Sequence, residues 1–200
     1  MNLLQRAQNN LVAEETSKLF FAQSINEVTI KDIANHIGIG EATIYRHYKN
    51  KFNIVLLVAN YLQEKVASEH FDVSKGVTGY DKIAIFYNSY LDIFNSDPAY
   101  YRFINEFDAI VILNSGNDVK DYEKGIGAFK EMFDNCYKLG LKDGSVKPVE
   151  DLDSFYFATT HALLGLCKKL ADKDVISQDS SHDKAKEIKV LIETILYRLK

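Results

Sequence analysis

The sequence predicts an all-α protein, and three observations lead to that prediction. Apolar residues recur every three or four positions in segment after segment, which is the spacing of one helix face. No segment of comparable length alternates between apolar and polar residues, as a half-buried strand would. The chain has 2 prolines, Pro98 and Pro148, and both stand at segment boundaries, so long helices are not interrupted. One apolar series is Phe52, Val55, Leu56, Ala59, Leu62 and Val66.

The same spacing gives the order of the helices. Asp97 before Pro98 is typical of a helix start, and Gly140 is placed as a helix C-terminal glycine. The patch 74–79 is turn-like, and the polar segment 172–183 is predicted to be a mobile connection. The first predicted helix ends near Phe21, and the others span 30–37, 41–48, 51–71, 80–94, 98–113, 119–139, 151–171 and 183–199.

Composition excludes several classes of protein. Two cysteines, Cys136 and Cys167, are too few for a disulfide framework, and no basic-then-apolar leader opens the sequence, so we expect a cytoplasmic protein. Uncharged apolar stretches such as 52–63 are far short of the roughly 20 residues of a membrane span, so no membrane partner is expected. The net charge of −4 argues against non-specific coating of nucleic acid, yet residues 1–51 carry a balance of +1.

Residues 29–51 read TIKDIANHIGIGEATIYRHYKNK and predict a helix-turn-helix. Thr29 followed by Asp32 is a variant of the capping box, which starts a helix. That helix lasts barely two turns before Gly38 and Gly40, whose conformational freedom permits a sharp reversal into a second short helix. Two short helices with an apolar seam are therefore predicted to cross at this turn.

The second short helix is rich in groups that donate hydrogen bonds to phosphates and base edges. Ile44 and Tyr48 supply its inward face, which leaves Tyr45 free to point outward, although a core role for Tyr45 is the alternative. The candidate donors are Thr43, Tyr45, Arg46, His47, Lys49 and Lys51.

A nucleotide-binding loop is the alternative for the glycines of this segment. Residues 38–43 match G-x-G-x-x-G at every position except the last glycine. That motif also needs a preceding buried strand, whereas the residues before Gly38 have helical spacing. Residues 125–127 fail for the same reason. The helix-turn-helix interpretation is therefore retained.

In this segment the sequence resembles the amino-terminal domain of the TetR/AcrR family of bacterial transcriptional repressors. The resemblance is close over about the first 55 residues and implies a helix-turn-helix DNA-binding domain at 1–50, followed at 51–200 by a helical bundle for ligand binding and dimerisation. The family pattern is met in order, without insertion, by Leu19-Phe20, Ser24-Ile25, Thr29 to Ala34, Gly38-Ile39-Gly40, Thr43-Ile44-Tyr45, Tyr48 and Lys51.

Two positions depart from the family pattern. Ser24 stands where the family usually has glycine, at a corner expected to use a left-handed backbone. Gly40 replaces the usual serine at the start of the second short helix, so a side-chain cap is lost there.

The resemblance also implies DNA contacts for individual residues. Thr43, Tyr45 and Lys51 would hold phosphates with His47 nearby, and Ala42 and Arg46 would face base edges. Glu41 would face them too, but a carboxylate there repels phosphate unless it accepts a hydrogen bond from cytosine. For Glu41, a solvated charge that contacts no base is therefore an equally supported alternative. The complete predicted set is Thr29, Gly40, Glu41, Ala42, Thr43, Tyr45, Arg46, His47, Lys49 and Lys51.

Aromatic residues are concentrated between Tyr80 and Phe157, which indicates either a large core or a cavity. The resemblance implies an effector pocket there for an aromatic or lipophilic small molecule, and core packing is the alternative for each residue. His161 in particular is predicted to be a core histidine. The candidates are Tyr87, Tyr90, Tyr101, Phe103, Asn105, Phe107, Asp108, Phe133, Tyr137, Phe157 and His161.

The last two helices carry apolar stripes. The resemblance implies that they pair with those of a second copy, which would set two reading helices one DNA turn apart; a helix that closes the monomer is the alternative. The stripe of the last helix is Ile188, Leu191, Ile192, Ile195 and Leu199.

An enzyme is not predicted. The sequence contains no H-E-x-x-H, C-x-x-C or G-x-S-x-G, and its five histidines lack metal-ligand spacing, so no metal or cofactor is expected. The remaining catalytic alternative is a cysteine–histidine pair formed by Cys136 or Cys167 with His161.

The function expected from the resemblance is a homodimeric repressor that binds a palindromic double-stranded operator and is released by a small molecule. The alternative is a helical DNA-binding or interaction module without an inducer.

Overall fold

A computed structural model describes residues 3–114, 116, 118–172 and 182–200, and there the chain is helical without strands, which confirms the predicted all-α class. A 3-10 turn at Val73–Lys75 lies between α4 and α5. Most of the predicted 172–183 connection lies outside the described residues. In the part described, no helix combines the length and apolarity needed to cross a membrane. The helices are α1 Leu3–Ala22, α2 Ile30–Ile37, α3 Glu41–Tyr48, α4 Lys51–His70, α5 Gly79–Ser96, α6 Ala99–Leu113, α7 Lys120–Asp143, α8 Leu152–Ala171 and α9 Lys184–Tyr197.

The chain divides into two compact units. Unit 1 comprises residues 1–65 and 102–125, and unit 2 comprises residues 66–101 and 126–200. Unit 1 therefore contains the three N-terminal helices together with parts of α4, α6 and α7. The functional boundary predicted at residue 50 falls within unit 1 and remains a prediction.

The core of unit 1 joins the short helices to α1 and α6. α1 packs against α2, and α2 packs against α3. On α6, Phe103 stacks on Phe20 at 6.0 Å between ring centroids and on Phe107 at 6.1 Å. Ile25, at the corner between α1 and α2, is fully buried in the same unit.

Thr16 of α1 leads to a stability prediction. Its side chain is fully buried, and its hydroxyl has no hydrogen-bond partner among the described residues. Since valine has nearly the same shape without the unpaired hydroxyl, we expect Thr16→Val to raise the free energy of unfolding by about 1 kcal/mol in urea titrations. Thr160→Val is the matched control, because the Thr160 hydroxyl donates to the Tyr156 carbonyl at 2.7 Å and its loss should bring no gain. Equal effects of the two substitutions would contradict the prediction.

An aromatic cluster forms the centre of unit 2. Phe86 contacts Phe71, Tyr87 and Phe133 with ring centroids 5.3, 5.5 and 5.6 Å away, mostly edge to face, and Tyr156 packs on Phe133 at 5.1 Å. Such pairs add to the free energy gained by burying the rings.

Helix α9 packs against α5 and α8 within the same unit. The stripe predicted from the sequence for dimerisation is mostly buried there: Ile188, Ile192, Ile195 and Leu199 belong to the core of unit 2, and Leu191 is half-buried against it. The prediction that these residues pair with a second copy is therefore wrong. Apolar spacing marks a helix face that is buried, but it does not say whether the covering surface belongs to the same copy.

Helices α5 and α7 approach each other closely at two glycines. A Cβ atom built on Gly79 would overlap the backbone of Gly140, and one on Gly140 would overlap the side chain of Val146. The sequence indicated that Gly140 ends its helix, but that prediction is wrong. Helix α7 continues to Asp143 and is followed by Gly144, whose φ is 77°. The Val146 side chain, rather than a helix end, therefore limits position 140 to glycine, and the Gly140 backbone in turn limits position 79.

Candidate nucleic-acid interface

Helix α2 begins with the predicted capping box. The Asp32 N–H donates to Thr29 Oγ1 at 3.2 Å, and the Thr29 N–H and hydroxyl donate to Asp32 Oδ2 at 2.8 and 2.6 Å. The hydroxyl bond and then the backbone bond from Thr29 lower the pKa of the Asp32 carboxyl. Thr29 is exposed, and its hydroxyl is engaged in the cap.

The turn between the two short helices depends on Gly38. Its φ of 77° is left-handed, and its N–H and that of Ile39 donate to the Ala34 carbonyl at 2.9 and 3.0 Å. Gly40 is the N-cap of α3 in an extended conformation without a side-chain hydrogen bond. Gly38 thus serves the reversal predicted for the two glycines, whereas the extended backbone of Gly40 does not require glycine.

Helix α3 is anchored by its inner face. Ile44 is 1% exposed, and the half-buried Tyr48 donates its hydroxyl hydrogen to Asn9 Oδ1 of α1 at 3.2 Å. The outer face bears Glu41, Ala42, Tyr45, Arg46 and His47, all of which are exposed, whereas Thr43 is half-buried. Tyr45 is 51% exposed, so the outward direction predicted for its side chain is confirmed.

Two lysines follow α3. Lys49 is exposed and has a φ of 67°, the one positive value among the non-glycine residues described; its N–H donates to the Tyr45 carbonyl at 3.0 Å. Lys51 is half-buried at the start of α4, and its Nζ donates to the Asn26 carbonyl at 3.4 Å. Desolvation lowers the pKa of Lys51, and the charge of Glu106 partly offsets that effect.

The corner between α1 and α2 is held by a residue that sequence reasoning missed. Glu106 Oε2 of α6 accepts hydrogen bonds from the Ser24 hydroxyl at 2.8 Å and from the Ile25 N–H at 2.6 Å. Ser24 does not have the left-handed backbone expected of it, since its φ is not positive. Serine is accommodated at this corner because its hydroxyl donates to the Glu106 carboxylate, which is 82 residues away in the sequence.

The residues predicted for the effector pocket are divided between the two units. Phe103, Asn105, Phe107 and Asp108 belong to unit 1, where the two phenylalanines are buried core and the two polar residues are exposed. Within unit 2, Phe157 is 45% exposed and His161 is exposed, so the expectation of a core histidine is wrong. Their rings lie 5.7 Å apart on the outer face of α8.

The other predicted effector residues are buried or half-buried aromatics of unit 2: Tyr87, Tyr90, Tyr101, Phe133 and Tyr137. Tyr87 Oη is 2.7 Å from Thr159 Oγ1, Tyr101 donates to the Tyr90 carbonyl at 2.8 Å, and the Tyr137 hydroxyl accepts from the Val149 N–H at 2.8 Å. Burial raises the pKa of the Tyr87, Tyr90 and Tyr101 hydroxyls, which keeps them protonated. No group of three His, Cys, Asp or Glu side chains within the described residues could hold a metal ion.

The helix-turn-helix is also where the chain matches a known family. Residues 13–58 match the family model described as bacterial regulatory proteins, tetR family. The HTH-type transcriptional regulator SAB2452 of Staphylococcus aureus (strain bovine RF122 / ET3-1) is 23% identical over 138 residues, which is 68% of this chain and 68% of that relative.

Solved structures share the fold over nearly the whole chain. A TetR transcription regulator from Haloarcula marismortui ATCC 43049 gives a TM-score of 0.73 at 14% identity, covering 98% of this chain and 100% of that one. The transcriptional regulator FadR from Bacillus subtilis, solved in complex with stearoyl-CoA, gives 0.64 at 14% identity, covering 95% and 98%. The capped helix α2, the glycine turn and the outward face of α3 all lie within the matched residues, so this part of the chain is a helix-turn-helix of the kind found in TetR-family regulators.

Proposed function

We propose that this chain is a repressor that binds a two-fold operator as a homodimer and is released by a small molecule. The observation that carries the DNA-binding part is the outer face of α3, where hydroxyl, guanidinium and imidazole groups are exposed on a helix anchored by Ile44 and Tyr48. A short helix of this kind fits the major groove, and its fixed inner face positions the outer side chains.

Each predicted DNA-binding residue has a proposed task. Tyr45, Thr43, His47, Lys49 and Lys51 hold phosphates and thereby set the register of α3. Glu41, Ala42 and Arg46 face base edges, and Arg46 has the fork of donors that suits guanine. At the helix starts, Thr29 and Gly40 bring backbone N–H groups close to phosphates.

The proposed dimer contact is the outer surface of α8 and α9. Exposed residues follow one face of α8 at positions 154, 157, 158, 161, 162 and 165, and this face combines an aromatic ring with small residues. On α9, Val190 and Tyr197 are 53% and 83% exposed. An exposed apolar face rimmed by polar residues is typical of an interaction site, and a two-fold contact matches it to itself.

The proposed effector site is the tyrosine-rich part of unit 2 formed by Tyr87, Tyr90, Tyr101, Phe133 and Tyr137. Apolar rings with a few neutral hydroxyls suit a lipophilic ligand that carries a polar group. The packing of the remaining predicted effector contacts gives no support for a ligand site. These residues are Phe103, Asn105, Phe107, Asp108, Phe157 and His161. Since the B. subtilis structure contains stearoyl-CoA, fatty acyl-CoA joins the ligand classes that we would screen.

A thermal-shift screen separates this function from the alternative of a module without an inducer. A ligand that binds the folded chain raises its melting temperature by mass action, and it should also weaken operator binding because it prefers the geometry that does not bind DNA. Acyl-CoA compounds, aromatic acids, dyes and quaternary cations form the panel. No shift with any class would favour the alternative.

Selection of bound fragments from the source genome tests DNA binding, and Lys51→Ala tests the role of the lysine at the start of α4. We expect Lys51→Ala to weaken binding to all sequences alike and to reduce the slope of log K against log salt by about one for each phosphate that is no longer neutralised. Lys142→Ala removes an exposed lysine from α7 and is the matched control, expected to leave the slope unchanged. An unaltered slope for Lys51→Ala would exclude phosphate binding by this lysine.

A further inference from the structure

Glu41 is the one carboxylate on the outer face of α3. Residues 29–51 contain two acidic side chains, Asp32 and Glu41. Asp32 is occupied by the capping box of α2. Glu41 makes no hydrogen bond or ion pair with any residue that the structure describes, and it is exposed beside Ala42 and one helical turn before Tyr45. The helix therefore presents an uncommitted negative charge on the face proposed to meet DNA.

Such a charge has a cost when a duplex approaches. A carboxylate near phosphates is repelled by them, and DNA replaces the water that solvated it. On the DNA, a hydrogen-bond donor on a base edge offsets this cost, and the major groove offers two such donors: the amino groups of cytosine and adenine. Without one, Glu41 would weaken binding to every sequence.

The two donors are not equivalent for an anion. In an A·T pair the adenine amino group lies between two acceptors, adenine N7 and thymine O4. In a C·G pair the cytosine amino group has the guanine O6 acceptor on one side and a carbon-bound hydrogen on the other. A carboxylate at the amino group therefore meets one repelling neighbour in C·G and two in A·T.

We propose that Glu41 is a specificity-determining residue that accepts a hydrogen bond from the N4 amino group of a cytosine in each half-site. This inference rests on the proposed function, because it requires α3 to lie in the major groove. Glu41 then has two effects: it selects C·G at one position, and it repels duplexes that lack cytosine there. It thereby lowers non-specific affinity more than specific affinity.

Selection from a random duplex library at fixed salt tests the inference with the full chain and its Glu41→Ala variant. For the wild type we expect a two-fold motif with cytosine at one position of each half-site, and replacement of that base should weaken binding by about 5- to 150-fold. For Glu41→Ala we expect the preference at that position alone to disappear, while affinity for random duplex rises. Glu41→Gln should admit adenine at the same position, because an amide pairs with both adenine N6 and N7.

Glu14→Ala is the matched control, since it removes an exposed glutamate from α1 and should leave the motif unchanged. A motif that is the same for Glu41→Ala and the wild type would overturn the inference while leaving the proposed function intact. A rise in random-duplex affinity without any change of motif would also overturn it, since Glu41 would then act as a repelling charge only. A wild-type chain that selects no motif would overturn the proposed function and this inference with it.

Discussion

Gly79→Ala is expected to destabilise the protein by about 2–4 kcal/mol, corresponding to a fall of about 5–15 °C in Tm. The backbone of Gly79 has no positive φ, so alanine is compatible with its conformation; the cost comes from the added Cβ, which would overlap the Gly140 backbone. Moving α5 away would also break two hydrogen bonds at its start, from the Gly79 N–H to Asp143 Oδ2 at 2.8 Å and from the Tyr80 N–H to Ser145 Oγ at 3.0 Å. Urea titration followed by circular dichroism measures the change.

Gly127→Ala is the matched control for that experiment. Gly127 is an exposed residue within α7, and a Cβ there would meet no atom within 4 Å. Since alanine is the better helix former, this variant should gain about 0.5–1 kcal/mol. A gain in stability for both Gly79→Ala and Gly127→Ala would contradict the close approach of α5 and α7 at Gly79.

Ala162→Arg is expected to convert the proposed dimer into a monomer and to weaken operator binding by about 100-fold or more. Two exposed α8 faces related by a two-fold axis would bring the new charges together in a contact with little room for a long side chain. A monomer binds one half-site and loses the gain from linking two reading helices, which for tethered sites is about 100- to 10,000-fold. Light scattering after gel filtration gives the mass, and fluorescence anisotropy with an operator fragment gives the affinity.

The control for this variant is Ala128→Arg, which makes the same change at an exposed alanine of α7. It should leave mass and affinity unchanged. A dimeric Ala162→Arg protein with wild-type affinity would exclude the α8 face as the contact between copies.

Local sequence signals predicted the helix-turn-helix to the residue, and the reason is physical. The capping box of α2 involves residues three apart, the glycine turn involves three successive residues, and the inner face of α3 follows from helical spacing alone. These interactions are completed within about twenty residues, so the sequence carries them without reference to the rest of the fold.

Features that depend on distant residues were not predictable in the same way. Ser24 was expected to have a left-handed backbone, but its φ is not positive and its hydroxyl donates to Glu106, a carboxylate that nothing near Ser24 in the sequence indicates. Gly140 was placed at a helix end because its partner, Gly79, is distant in the chain. His161 was expected in the core because the apolar residues around it hide the fact that its own face of α8 is exposed.

Photocrosslinking from position 45 tests most directly whether the outer face of α3 lies against DNA. With benzoylphenylalanine in place of Tyr45, we predict a crosslink to a selected genomic fragment that disappears with excess unlabelled fragment or high salt. The same group at the 88% exposed Val77 should give none. A protein that still shifts the fragment but never crosslinks from position 45 would show that another surface binds DNA.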